Sequence, residues 1–137
     1  MPDDLRRMGM LVPPPTGDER RAVIVIDDDQ AVCSALKFSL EVEGFEVSTF
    51  ASAAQALKAN LPLEACFIVD YHLPGMNGLQ LILALRAERG LVPAILITSH
   101  PTTVLREAAA AQGVPIVEKP LLSDALLDGI RRTMDRD

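Results

Sequence analysis

The stretch Ala65-Cys66-Phe67-Ile68-Val69-Asp70-Tyr71-His72-Leu73-Pro74-Gly75-Met76-Asn77-Gly78 joins an unbroken apolar run to an aspartate, a Pro-Gly pair and an asparagine, and a segment of helical spacing follows over Leu79 to Arg89. An apolar run without alternation fits a strand buried on both faces. Pro74-Gly75 makes a tight loop, and Asn77 can accept the free N–H groups of the helix after it. Strand, loop and helix in this order form the unit of a parallel sheet, with Asp70 at the strand's carboxyl end.

The same unit recurs on both sides. Apolar runs over Val23 to Ile26, Phe45 to Ser48, Ala94 to Thr98 and Val114 to Val117 predict four more strands, and Ala31 to Glu43, Ala53 to Ala59, Thr103 to Gln112 and Ser123 to Met134 carry helical spacing. Gly44, Gly90 and Gly113 each follow a helical stretch, where a left-handed residue ends it, and Ser52 with Gln55 resembles a capping box. Five strands alternating with five helices predict a doubly wound α/β fold, a parallel sheet with helices on both faces.

Composition agrees. The chain has 137 residues, room for one domain of ordinary size, and 49% of them are hydrophobic while only 4% are aromatic, so the core rests on Val, Ile, Leu and Ala. Residues 22–137 are read as the domain. Residues 1–21, with Met8-Gly9-Met10 and Pro13-Pro14-Pro15, are read as a flexible Pro-containing extension. The formal charge of −6 and the scattering of Arg6-Arg7, Arg20-Arg21 and Arg131-Arg132 argue against direct nucleic-acid binding. No apolar run reaches membrane-spanning length, there is no apolar signal segment, and Cys33 and Cys66 lie singly in core-like stretches, so a cytoplasmic protein with reduced thiols is expected.

In a sheet of this kind ligands bind beyond the carboxyl ends of the strands, near the point where strand order reverses. Those ends carry Asp27-Asp28-Asp29, Asp70, Thr98-Ser99 and Glu118-Lys119-Pro120. Carboxylates brought together from separate strands repel one another and recruit a cation, and oxygen-only ligands favour a hard ion, with magnesium, or manganese, fitting best. A carboxylate beside such an ion can attack phosphorus and form an acyl phosphate. Asp70 is the nucleophile candidate, with Lys119, the Thr98 hydroxyl and the metal sharing the charge on the transferred group.

Taken together, Val-Ile-Asp27-Asp28-Asp29, Ile-Val-Asp70-Tyr-His-Leu-Pro74-Gly75-Met-Asn-Gly78, Ile-Thr98-Ser and Glu-Lys119-Pro120 resemble the motifs of bacterial response-regulator receiver domains over about residues 22 to 135. The resemblance implies a flavodoxin-like sheet of order 2-1-3-4-5 and phosphorylation of Asp70 by a sensor histidine kinase or a histidine phosphotransfer protein. It implies metal ligation by Asp27, Asp28, Asp70 and the backbone carbonyl of His72, a switch role for Thr98, a phosphate-binding role for Lys119, and a cis peptide bond before Pro120. The fourth helix, fifth strand and fifth helix match the face such domains use for an output partner or a homodimer.

Two departures stand out. Ile116 occupies the place where the family often has Tyr or Phe, so output is expected to run through the loop after the fourth strand rather than through a rotating ring. His72 and His100, two residues after Asp70 and Thr98, occupy places that influence the lifetime of the phosphoryl group in this family; the alternative is two exposed polar loop residues. Asp29 reads better as the cap of the first helix than as a third metal ligand. The competing functions are an aspartyl-nucleophile phosphohydrolase and an inert interaction module. The first wants a second aspartate where His72 stands, which argues for a switch that acts on no external substrate. The second sits badly with the complete set Asp27, Asp28, Asp70, Thr98 and Lys119.

Overall fold

The structure of the chain, a computed structural model, describes residues 21–120 and 123–134. Its elements are β1 (Ala22–Ile26), α1 (Gln30–Val42), β2 (Glu46–Phe50), α2 (Ala53–Lys58), β3 (Ala65–Asp70), α3 (Gly78–Arg89), β4 (Ala94–Thr98), α4 (Thr103–Ala111), β5 (Ile116–Glu118) and α5 (Ser123–Met134). All four strand pairings are parallel, in the order β2-β1-β3-β4-β5. The expected sheet and its strand order are both present. Apart from Arg21, the expected extension over residues 1–21 lies outside the described residues.

Alternation along the strands sorts the core into two halves. Ile24, Ile26, Phe67, Val69 and Leu96 pack with α3 residues Leu81, Ile82 and Leu85 and with Leu105 and Ala109 of α4, whereas Val23, Val25, Cys66, Ile68, Ile95 and Ile97 pack with Cys33, Leu36 and Leu40 of α1 and with Leu126 and Ile130 of α5. Successive residues of a strand point to opposite faces, so an all-apolar run must have helices on both. Each fully buried large aliphatic side chain, on the strands and on the helices facing them, contributes roughly 1.5 to 3 kcal/mol to folding.

Several strand boundaries shift by a residue or two, and two of the shifts share one reason. Phe45 and Val114 were expected to open strands, but their N–H groups bond back to Leu40 O (3.1 Å) and Ala109 O (2.9 Å), so β2 starts at Glu46 and β5 at Ile116. Each follows a glycine of positive φ, Gly44 at 96° and Gly113 at 67°, and each closes a helix end before the strand begins. A free carbonyl at a helix terminus takes the first apolar residue past the glycine as its partner. Asn77 forms the full reciprocal cap with Gln80, whereas Gln55 reaches the N–H of Ala51 rather than that of Ser52.

Candidate functional site

Chain order turns back between β1 and β3: β2 lies on one side of β1, and β3 and everything after it on the other. The helices leaving β1 and β3 therefore cover opposite faces, which leaves a crevice above the strand ends. Asp27 follows β1 directly, and its N–H bonds to Phe50 O (3.1 Å) while its Oδ1 accepts from Asp29 N (2.9 Å). Asp70 ends β3, and its Oδ1 accepts from His72 N at 3.4 Å. Both carboxylates are buried, Asp27 at 0% and Asp70 at 4% exposure, beside the exposed Asp28.

The oxygens of Asp27, Asp28 and Asp70 lie within 4.8 Å of one another. That span is close to what one ion at about 2.1 Å from each oxygen would draw together. Lys119 reaches in from the end of β5, its Nζ at 3.2 Å from Asp27 Oδ2 and 3.5 Å from Asp70 Oδ2. One ammonium against three carboxylates leaves the cluster negative. An oxygen-only, negatively charged set of donors suits a hard divalent cation, so the residues present fit magnesium.

The titration behaviour of the pair follows from this crowding. Burial, and then the charge of Asp27, hold the Asp70 carboxyl above the usual aspartate range, with Lys119 and the His72 N–H pulling the other way. Burial alone would lower the Lys119 ammonium, but the hydrogen bond and charge of Asp27 and the charge of Asp70 outweigh it and raise it. Thr98 ends β4, the strand beside β3. It is fully buried, and its Oγ1 has no hydrogen-bond partner among the described residues. A buried hydroxyl without a partner costs free energy, and a phosphoryl oxygen at this place would satisfy it.

The structure thus brings together Asp27, Asp28, Asp70 and Lys119, with Thr98 at the carboxyl end of β4, its backbone carbonyl accepting from Lys119 N at 2.8 Å, and the Lys119-Pro120 peptide bond is cis. Asp29 turns away: its side chain accepts from Ala31 N (2.9 Å) and Val32 N (3.4 Å) as the cap of α1. His72 and His100 are exposed, with the His72 ring set edge-on to Tyr71 at 5.0 Å. Glu118 is exposed and faces Arg106 at 3.7 Å, and Ile116 is half-buried on β5. One participant escaped the sequence reading, which took Cys33 only as core. Its Sγ donates to the backbone carbonyl of Asp27 at 3.2 Å, a contact that no spacing rule announces. Among the described residues, no helix is long and apolar enough to cross a membrane.

Residues 23–131 match the family profile described as the response regulator receiver domain. The transcriptional regulatory protein FixJ of Azorhizobium caulinodans is 36% identical over 108 residues, covering 77% of this chain and 51% of its own length. The C4-dicarboxylate transport transcriptional regulatory protein DctD of Rhizobium meliloti is 36% identical over 105 residues, 74% of this chain and 23% of its own length. Among solved structures, a CheY-like receiver domain protein from Methanospirillum hungatei has a TM-score of 0.76 at 25% identity, covering 85% of this chain and 94% of its own. Full-length FixJ from B. japonicum has a TM-score of 0.72 at 30% identity, over 84% and 60%. The chain spans about half the length of FixJ and less than a quarter of DctD.

Proposed function

The chain belongs to the response regulator receiver domains of two-component signalling, and from that premise we propose that Asp70 accepts a phosphoryl group from the phosphohistidine of a sensor kinase or phosphotransfer protein. The observation that carries this reading is the contact of one ammonium, Lys119 Nζ, with the two buried carboxylates of Asp27 and Asp70 at 3.2 and 3.5 Å. A buried nucleophile held between a cation and an acidic pair is the arrangement phosphoryl transfer onto a carboxylate needs.

In this reading an Asp70 oxygen attacks phosphorus, the bond from phosphorus to the donor imidazole breaks, and the imidazole leaves as the neutral ring once protonated. Asp27, Asp28, Asp70 and the backbone carbonyl of His72 would hold magnesium, or manganese, which would supply positive charge to the transferred group. Lys119 turns to one phosphoryl oxygen and the unpartnered Thr98 hydroxyl donates to another. Movement of Thr98 toward that oxygen displaces the loop between β4 and α4. With Ile116 rather than an aromatic on β5, that backbone shift is the signal passed to a partner at the α4, β5 and α5 face. Residues 22–137 form the receiver domain, and it acts in the cytoplasm, without membrane or direct nucleic-acid contacts, on no free substrate.

Incubation with magnesium and acetyl phosphate, followed by intact mass, tests the proposal. One base-labile phosphoryl adduct per chain, absent from Asp70→Asn, is the expected result. Continuous hydrolysis of external phosphate esters would instead make the protein a hydrolase, and no adduct would make it an inert module. The same adduct tests His72 and His100, exposed residues that stand two positions after Asp70 and Thr98. Replacing each by alanine is expected to change its lifetime, and lifetimes unchanged from wild type in both variants remove them from the mechanism.

A further inference from the structure

Gly78 is the first residue of α3, and it lies against the end of β3 more closely than a side chain permits. A Cβ built on it would stand 2.3 Å from the carbonyl oxygen of Asp70, 2.9 Å from the Asp70 carbonyl carbon and 2.9 Å from Leu96 Cδ1. The leucine methyl can rotate away; the peptide of Asp70 cannot. Four of the other described glycines, Gly44, Gly75, Gly90 and Gly113, have positive φ and open space where a Cβ would go, so they serve chain reversal. Gly78 has no such backbone requirement and is constrained only by proximity.

Neither side of this contact has slack. The helix start is pinned by the reciprocal Asn77 and Gln80 cap (2.8 and 3.0 Å), by Gly78 N donating to Tyr71 O at 2.8 Å, and by Leu81 and Ile82, fully buried just behind it. The strand end is pinned by Tyr71 N donating to Ile97 O at 2.9 Å. A side chain at position 78 therefore has to move the Asp70 peptide itself, and the carboxylate on the same residue moves with it. The groups it must meet, Lys119 Nζ at 3.5 Å and the oxygens of Asp27 and Asp28 within 4.8 Å, hang from other strands and stay behind.

We infer that Gly78 is a positioning residue: it sets where the Asp70 carboxylate stands relative to the acidic pair and Lys119 by allowing α3 to close on the Asp70 carbonyl. The inference rests on the reading of Asp70 as metal ligand and phosphoacceptor, and the two fail separately. If wild-type protein neither binds magnesium nor takes up phosphoryl, that reading fails; if wild type does both, the question passes to the variant.

The test compares Gly78→Ala with Leu85→Ala, a core truncation farther along α3 that lowers stability without touching Asp70. Magnesium affinity is measured by calorimetry and by emission of Tyr71, the one tyrosine in a chain without tryptophan. Phosphorylation by acetyl phosphate is measured at saturating magnesium. In folded Gly78→Ala protein, magnesium binding is expected to weaken about tenfold or more, as when a group supporting a metal ligand is lost. Phosphorylation at saturating metal is expected to slow by up to about a hundredfold. Leu85→Ala is expected to lose stability and keep both properties. Wild-type affinity and rate in Gly78→Ala would overturn the inference. So would a Gly78→Ala protein that stays unfolded even in a stabilising osmolyte at low temperature, since the contact would then serve the fold alone.

Discussion

Asp70 carries a conflict that the fold imposes: it is buried beside another carboxylate, and its pKa is raised above the ordinary aspartate value. The folded protein then holds this proton more tightly than the unfolded chain, so ionisation opposes folding. The group's favourable contribution is complete below about pH 3.9, the unfolded value, and is lost as pH climbs toward the folded one. At neutral pH and without divalent cations, Asp70→Asn is accordingly expected to melt a few degrees higher than wild type, with the gap closing near pH 4 and narrowing when magnesium is added. Thermal melts across that range check it, and a lower melting temperature for the variant at pH 7 in chelator would contradict the electrostatic account. Lys119 follows the same rule in a higher window. Its raised pKa contributes stability that is present below about pH 10.4 and lost only above it, so it stays charged throughout this range.

Elements of this chain end where their hydrogen bonds run out, and side chains supply the missing partners. Asp29 shows how one residue of an acidic triplet is assigned by its element rather than by its charge. It sits immediately before α1 and takes the N–H groups of Ala31 and Val32, whereas Asp27, two residues earlier, still belongs to the sheet edge and faces Lys119. Asp29→Ala is expected to cost about 1 kcal/mol of stability, the usual worth of an N-cap, with little change in magnesium affinity. Denaturant unfolding and a magnesium titration on one protein preparation separate the two effects. A loss of metal binding comparable to that of Asp28→Asn would return Asp29 to the metal site.

As a whole, the molecule is a sheet with two dry faces, and its thiols report on both chemistry and stability. Cys66 is buried near the start of β3, and burial pushes its thiol up to about 12; Cys33 is raised as well, by burial and then by the charge of Asp27. A thiol reacts as its thiolate, so neither is expected to react with a disulfide reagent in the native state at neutral pH. Labelling of both is expected to follow unfolding, with the Cys66 rate rising in denaturant in step with the unfolded fraction. Rapid labelling of Cys66 without denaturant would mean that the α1 and α5 layer opens locally.

Much of this was legible in the sequence. The five apolar runs and the glycines after the helices specify a parallel sheet covered by helices, because burial and helix termination act on neighbours in the chain; the strand order came with the family resemblance, and the residues at the strand ends supplied the candidates Asp27, Asp28, Asp70, Thr98 and Lys119. Whether Phe45 and Val114 open a strand or close a helix was not legible, since both outcomes bury the same apolar side chain and only the hydrogen-bond partners differ. The thiol of Cys33 under Asp27 and the carbonyl of Asp70 against Gly78 belong wholly to the tertiary structure. They are contacts between a helix and a strand's backbone, and their distances depend on how closely two elements pack, a quantity that no pattern of residue types along one chain encodes.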